Sequence, residues 1–261
     1  MRPYNLPLRT PMLDQSQRDR LDIVLVSPRN PLNIGAVARA MANFGVARLS
    51  VAAPYDPHWR EAKSAVGAPQ LLANAQEFPT LQEAIANCTF IAGTGTLTYR
   101  KPDQPVISLP DLAPLLHGEL ARGGRAALVF GPEKHGLTRH DLSWCHVLVH
   151  IPTDPQQPSM NLGQAAAVCL YELARPWLIP PPLPPQASDQ PTTSAVLDRL
   201  ALLIEETMIA ADYSPASMAD TNRHDLRIFL RQLGLDARDT RRVMGLFRRI
   251  LYRLKAPQSA E

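Results

Sequence analysis

A chain of 261 residues can bury one full core and carry a smaller second unit. Its 45% hydrophobic and 20% charged residues fit an ordinary globular protein, and the absence of a run of about 18 apolar residues excludes a membrane-spanning helix. Cys88, Cys145 and Cys169 are far apart and in no C-x-x-C pair, which supports neither a disulfide framework nor a metal site, and a net charge of +3 names no partner by itself.

The first twenty residues read as an extension without the apolar core of a signal peptide, so a cytoplasmic protein is expected. From Leu21 onward, apolar runs bounded by Gly or Pro alternate with helical patterns. The runs are 21-LDIVLVSP-28, 48-RLSVAAP-54, 89-TFIAGTG-95, 125-RAALVFG-131 and 147-VLVHIP-152. Continuous runs of this kind suit strands buried on both faces, and their alternation with helices predicts an α/β fold with a parallel sheet. Helices are predicted over 34–44 behind Asn33 as N-cap, over 81–88 behind the capping box Thr80-Leu-Gln-Glu83, over 111–122 near Asp111, and over 162–177 behind Asn161. This sheet unit spans 21–177.

Seven prolines between Pro176 and Pro191 can form neither helix nor sheet ladder, so residues 178–193 read as a semi-rigid linker. Beyond it, 194–213, 222–234 and 236–255 read as three helices of a small all-α unit, 194–261. In the last helix Val243, Leu246, Phe247, Ile250, Leu251 and Leu254 form an apolar stripe, and Tyr213, Phe229, Phe247 and Tyr252 are expected in the core. Ten Lys/Arg against three Asp between Arg223 and Lys255 favour phosphate contact, although arginine-rich faces are also often only solvated. Arg223, Arg227, Arg241, Arg242, Arg248 and Arg249 are the candidate phosphate contacts. Arg100, in a polar turn, is either a further one or a solvated loop side chain.

Three polar turns, 93-GTGTLTYRK-101, 131-GPEKHGLT-138 and 152-PTDPQQPSMNLGQ-164, follow predicted strands, where open parallel sheets place ligands. The second nearly spells a phosphate-binding P-loop, but Leu137 stands where the lysine is needed and Glu133 would repel a triphosphate. A dinucleotide fingerprint also fails, for 93-GTG-95 has no third glycine at the required spacing.

The ordered set 33-NIGAVARAM-41, 128-LVFGPEKHGLT-138 and 159-SMNLGQAAAVCLYE-172 resembles the three motifs of the SpoU/TrmH branch of the SPOUT RNA 2′-O-methyltransferases, across roughly residues 20–175. The helical tail after a Pro-rich linker is most like the TrmJ subgroup, which methylates the ribose at anticodon-loop position 32 of tRNA. Pro132 departs from that subgroup, where Arg is common. The resemblance implies a deep trefoil knot, an obligate homodimer, S-adenosylmethionine (SAM) held in the knot loops, and tRNA across the dimer; the missing apolar run and the cysteine spacing already argue against a membrane or a metal. An rRNA enzyme of the same chemistry, and a non-catalytic RNA-binding module with a vestigial SAM pocket, stay open as alternatives.

The resemblance also distributes roles. Arg39 would stabilise a developing alkoxide in a dry pocket shared by two subunits. A guanidinium stays protonated and is ill suited to be a base, and for an arbitrary helical Arg a solvated side chain would be the ordinary reading. Asn33 both caps and faces the site, and Ser159 and Asn161 position the hydroxyl and the donor while one of them caps the last helix. Glu133 orders the loop or approaches substrate. Thr94, Gly95, Gly131, Gly136, Ile151, Met160 and Leu162 form the SAM slot, with Ile151 and Leu162 equally suited to the core.

Overall fold

In the computed structural model, which describes residues 13–95, 102–175 and 191–256, strands and helices alternate through residue 174 and helices alone follow. The order is α1 Gln15–Arg18, β1 Leu21–Val26, α2 Pro31–Asn43, β2 Arg48–Ala52, α3 Pro69–Ala73, β3 Gln76–Phe78, α4 Leu81–Ala84, β4 Phe90–Thr94, β5 Val106–Ser108, α5 Leu109–Ala121, β6 Ala126–Phe130, α6 Arg139–Leu142, β7 Val147–His150 and α7 Leu162–Ala174. Then come α8 Ser194–Ala210, α9 Ala219–Gln232 and α10 Ala237–Lys255. The strands pair in parallel in the order β3-β2-β1-β6-β4-β7-β5.

The non-alternating sequence of β1 has a direct cause. Ile23 and Leu25 enter one core layer while Val24 and Val26 enter the other, so both faces of the strand are covered. All five predicted strands are present. Two short ones, β3 and β5, were not predicted. Residues 13–20, expected as part of an extension, pack onto the sheet unit: Leu13 is buried in the first layer and Arg20 donates to the Gly124 carbonyl.

Helix α2 starts earlier than expected. Asn30, not Asn33, is its N-cap, accepting from the Leu32 N–H, and Pro31 takes the first helical position, where its missing N–H costs nothing. Asn33 is thereby placed in the first turn with its amide free for other partners. Helix α2 turns Ile34, Val37, Ala38 and Met41 into the core and crosses α7 closely. A Cβ on Gly163 would lie 2.7 Å from the Ala36 Cβ, so only glycine permits the crossing.

Helices α8, α9 and α10 enclose their own cluster of Leu200, Ala201, Ile204 and Leu230, with Val243, Met244 and Phe247 packed against it. Pro191 bridges to Asp236, and the Thr192 and Thr240 hydroxyls bond at 2.9 Å, so the described end of the predicted linker is tied to the helices. Contacts join the helices to the sheet unit as well: the Ser194 N–H donates to the Cys88 carbonyl, and the Arg227 guanidinium lies 4.5 Å from the centroid of the Trp144 ring. The predicted stripe of α10 is only half used, for Leu246, Ile250 and Leu254 are exposed. Tyr213, Phe229 and Tyr252, expected in the core, are exposed too, and only Phe247 packs as expected.

Candidate active site

Strands β6, β4 and β7 are neighbours, so the end of β4 and the turns after β6 and β7 share one rim at the C-terminal edge of the sheet, while residues 96–101 of the first predicted turn lie outside the described residues. There they surround a cavity of about 230 Å³. Thr94, Gly95, Gly131, Gly136, Ile151, Met160 and Leu162 all line it, as do Glu133 and Ser159. The seven residues expected as a cofactor slot are therefore brought together from three separate segments.

Two glycines of the rim do different work. A Cβ on Gly95 would meet nothing within 4 Å, so the cavity is open beside it. A Cβ on Gly131 would fall 2.2 Å from the Leu137 nitrogen and 2.3 Å from the Gly136 carbonyl carbon. Gly131 is demanded by the closure of its own loop, which turns at Gly136 with a positive φ of 63°, and not only by the approach of a ligand.

A chain of side-chain hydrogen bonds ties the three motifs together. Asn161 caps α7 by accepting from the Gly163 N–H at 2.9 Å, and its amide donates to Asn33 Oδ1 at 2.9 Å. Asn33 donates in turn to Glu133 Oε1 at 2.9 Å. Glu133 also accepts the backbone N–H groups of Arg29 and Asn30, each at 3.1 Å, at the entry to α2. Burial pushes the Glu133 carboxyl upward, but the bonds from Asn33 and from these backbone groups outweigh it and hold the carboxyl below its ordinary value. A carboxylate at a helix N-terminus is also favoured by the helix dipole.

Arg39 stands apart. Its side chain is on the exposed face of α2, does not line the cavity, and makes no hydrogen bond or ion pair among the described residues. Within one chain, the expected dry setting for this guanidinium is not present. The helix explains why: Ile34, Val37 and Met41 take the buried face, and Arg39 is about 140° around from Ile34.

Two arginines expected to contact RNA turn inward instead. Arg223 forms a two-pronged pair with Glu205 at 2.9 and 3.1 Å, and Arg227 is buried over Trp144. A charge count along the sequence could not separate these from free cations, because their partners come from other elements. Arg241, Arg242, Arg248 and Arg249 are exposed on α10, and Arg100 is outside the described residues. Lys134, His135, His150, Thr153 and Pro158 also line the cavity and were not singled out from the sequence. They belong to the same turns and to the end of β7, which was the one available signal. A second cavity, of about 320 Å³, opens at the N-terminal ends of the strands beside Phe90, His146 and Arg231, and no motif residue reaches it.

A model of the SpoU rRNA Methylase family matches residues 20–171. The tRNA (cytidine/uridine/adenosine-2′-O-)-methyltransferase TrmJ of Pseudomonas aeruginosa is 34% identical over 233 residues, covering 89% of this chain and 86% of that protein. A second relative, the uncharacterized tRNA/rRNA methyltransferase LasT of Escherichia coli, is 36% identical over 197 residues, 74% of this chain and 84% of its own. Among solved structures, TrmJ from Z. mobilis ZM4 superposes with a TM-score of 0.75 at 28% identity, covering 88% of this chain and 98% of that one.

Proposed function

The chain belongs to the SpoU methylase family, and on that premise we propose that it is a tRNA methyltransferase that moves a methyl group from SAM to a ribose 2′-hydroxyl. The target is the anticodon-loop position 32, and the working form is a cytoplasmic homodimer whose sheet unit carries a trefoil knot. The convergence of the end of β4 with the turns after β6 and β7 on one cavity, with the Glu133–Asn33–Asn161 chain locking the three motifs together, is the observation that carries this reading. The relatives named as tRNA 2′-O-methyltransferases support the substrate class. The insertion of β7 between β4 and β5, and the tight closure of the Gly131 loop, support the knot.

SAM contributes a methyl group on a cationic sulfur. The chain's task is to hold the donor and the hydroxyl in line, and to stabilise the negative charge that develops on the 2′-oxygen as its proton leaves. Open space at Gly95 and the apolar walls of Ile151, Met160 and Leu162 suit an adenosine, and Thr94 and Ser159 offer neutral hydroxyls beside them. Ser159 and Asn161 orient the hydroxyl. Glu133 is a positioning residue, fixing the entry to α2. Arg39, exposed in its own chain, serves the cavity of the partner subunit, where it stabilises the oxyanion and grips the adjacent phosphate. Arg241, Arg242, Arg248 and Arg249 on α10 hold the tRNA backbone.

Incubating total tRNA and total rRNA with labelled SAM, followed by nucleoside mapping, tests the reading. Label in a ribose-methylated pyrimidine of tRNA is expected. Label confined to rRNA, or carried on a base, would overturn it.

A further inference from the structure

Beside the candidate active site, at the C-terminal ends of β1 and β2, two exposed side chains form a pair that no part of the proposed chemistry uses. The Arg29 guanidinium lies 5.1 Å from the centroid of the Tyr55 ring. Tyr55 is 72% exposed, and Arg29 is exposed, its guanidinium with no carboxylate partner among the described residues. Leaving an aromatic ring this open forfeits the burial that normally stabilises it.

The backbone beneath the pair is costly as well. Ser27 has φ of 45° and Ala53 has φ of 47°, two of the three non-glycine residues with positive φ among those described. Each sits directly after its strand, and strained conformations of this kind persist only where the surroundings dictate them. Hydrogen bonds supply that constraint. The Ser27 N–H donates to the Ala52 carbonyl, the Ala53 N–H to the Phe78 carbonyl, and the Tyr55 N–H to the Pro28 carbonyl, so the two turns are laced together. Arg29 is fixed from the other side, because its backbone N–H donates to Glu133, a residue of the cavity wall. The platform is thus rigid, aromatic, cationic, and one hydrogen bond removed from the candidate site.

We infer that Arg29 and Tyr55 form a stacking platform for an unpaired nucleobase of the substrate RNA, next to the nucleotide whose ribose enters the cavity. This rests on the reading of the chain as an RNA methyltransferase. Single-stranded RNA loops are recognised by splaying bases onto aromatic rings or guanidinium planes, and here both surfaces are offered at once. The guanidinium adds a charge for the adjoining phosphate. A stacked neighbour holds the loop open and sets the height at which the target ribose meets the cavity, which makes the pair a positioning element for the reaction.

The test measures binding of fluorescein-labelled tRNA transcript to the full chain, with SAM affinity, melting temperature and sedimentation followed in parallel. Tyr55→Ala is expected to weaken tRNA binding about 5- to 100-fold, while Tyr55→Phe stays within about twofold of wild type. Arg29→Ala weakens binding and reduces the salt slope by about one. SAM affinity and melting temperature stay at wild-type values in all three. Transcripts carrying single abasic sites along the anticodon loop locate the base: one site weakens binding to wild type and has no further effect on Tyr55→Ala. Wild-type tRNA affinity in Tyr55→Ala overturns the platform, as does a loss equal at every abasic position. A change in sedimentation of Tyr55→Ala overturns it in favour of a contact between protein chains. If wild type methylates tRNA and Tyr55→Ala is neutral, only the platform fails, whereas a wild type that neither binds nor methylates tRNA removes the function proposed above along with it.

Discussion

Asn33 shows how much one residue's role depends on where its helix begins. As an N-cap it would have spent its side chain on the backbone. With Asn30 and Pro31 starting α2 three residues earlier, its amide instead bridges Glu133 and Asn161. The sequence made the set of motif residues legible, but not this bridge, because Asn33 is 100 residues from Glu133 and 128 from Asn161 and meets them only through the sheet order. The arrangement separates two kinds of dependence. Arg39 has no partner to lose among the described residues, so Arg39→Ala should leave the melting temperature and SAM affinity intact. Its methylation rate should fall at least ~100-fold, the scale for removing one preorganised charge from an oxyanion site. Glu133→Gln turns an amide N–H toward backbone donors that need an acceptor. It is expected to lower the melting temperature by about 2–4 °C, the equivalent of roughly one hydrogen bond, and to lower kcat with it. Thermal melts and single-turnover rates on the same preparations distinguish the two patterns, and equal melting shifts in both variants would contradict them.

At the level of elements, the five strands that could be read from sequence are those buried on both faces, where covering layers require unbroken apolar runs. Strands β3 and β5 have three residues each and lie at the two sheet edges, β3 with exposed Gln76 and Glu77 and β5 with Val106 exposed, so each is too short to show an apolar run or a clear alternation. Helix α9 misled for the opposite reason: its charges look free in the sequence and are used in packing. Arg231, 4% exposed, donates to Ser194 Oγ at 2.7 Å and lies over Trp144, at the base of β7. His146, two residues after Trp144, accepts the Ile91 N–H at Nδ1, and burial together with the nearby Arg231 charge pushes its pKa down to about 3 from the ordinary 6.5. The unfolded chain therefore takes up this proton near pH 6.5 while the folded chain resists it. The stabilisation is complete above 6.5 and is lost as pH falls from 6.5 toward 3. Gln at this position keeps an acceptor for Ile91 without the titration. Urea midpoints measured across that window should fall less steeply with acidification in His146→Gln than in wild type, and parallel curves would refute the assignment.

For the whole molecule, the decisive fact is that the cavity and Arg39 do not meet in one chain. The end of β4 and the turns after β6 and β7 line the cavity, and the single arginine of α2 is exposed and does not line it. The proposed two-fold dimer would resolve such a separation, because whatever one chain offers outward the other can receive at the equivalent place. Spacing along a helix fixes the angle of Arg39 but not which molecule lies opposite, so the shared pocket comes from the resemblance and not from the periodicity. Two defective chains can test the arrangement when co-expressed with different tags and purified as the mixed dimer. Arg39→Ala leaves its own cavity intact. Gly95→Trp fills the cavity from a position where a Cβ meets nothing within 4 Å, so the chain should still fold, and its Arg39 remains in place. Each homodimer should be inactive. If Arg39 acts across the dimer, the mixed species has one site with an open cavity and a facing arginine, and recovers about half of the wild-type rate per dimer. If Arg39 acts within its own chain, every site in the mixed dimer carries one of the two defects, and the rate stays at background.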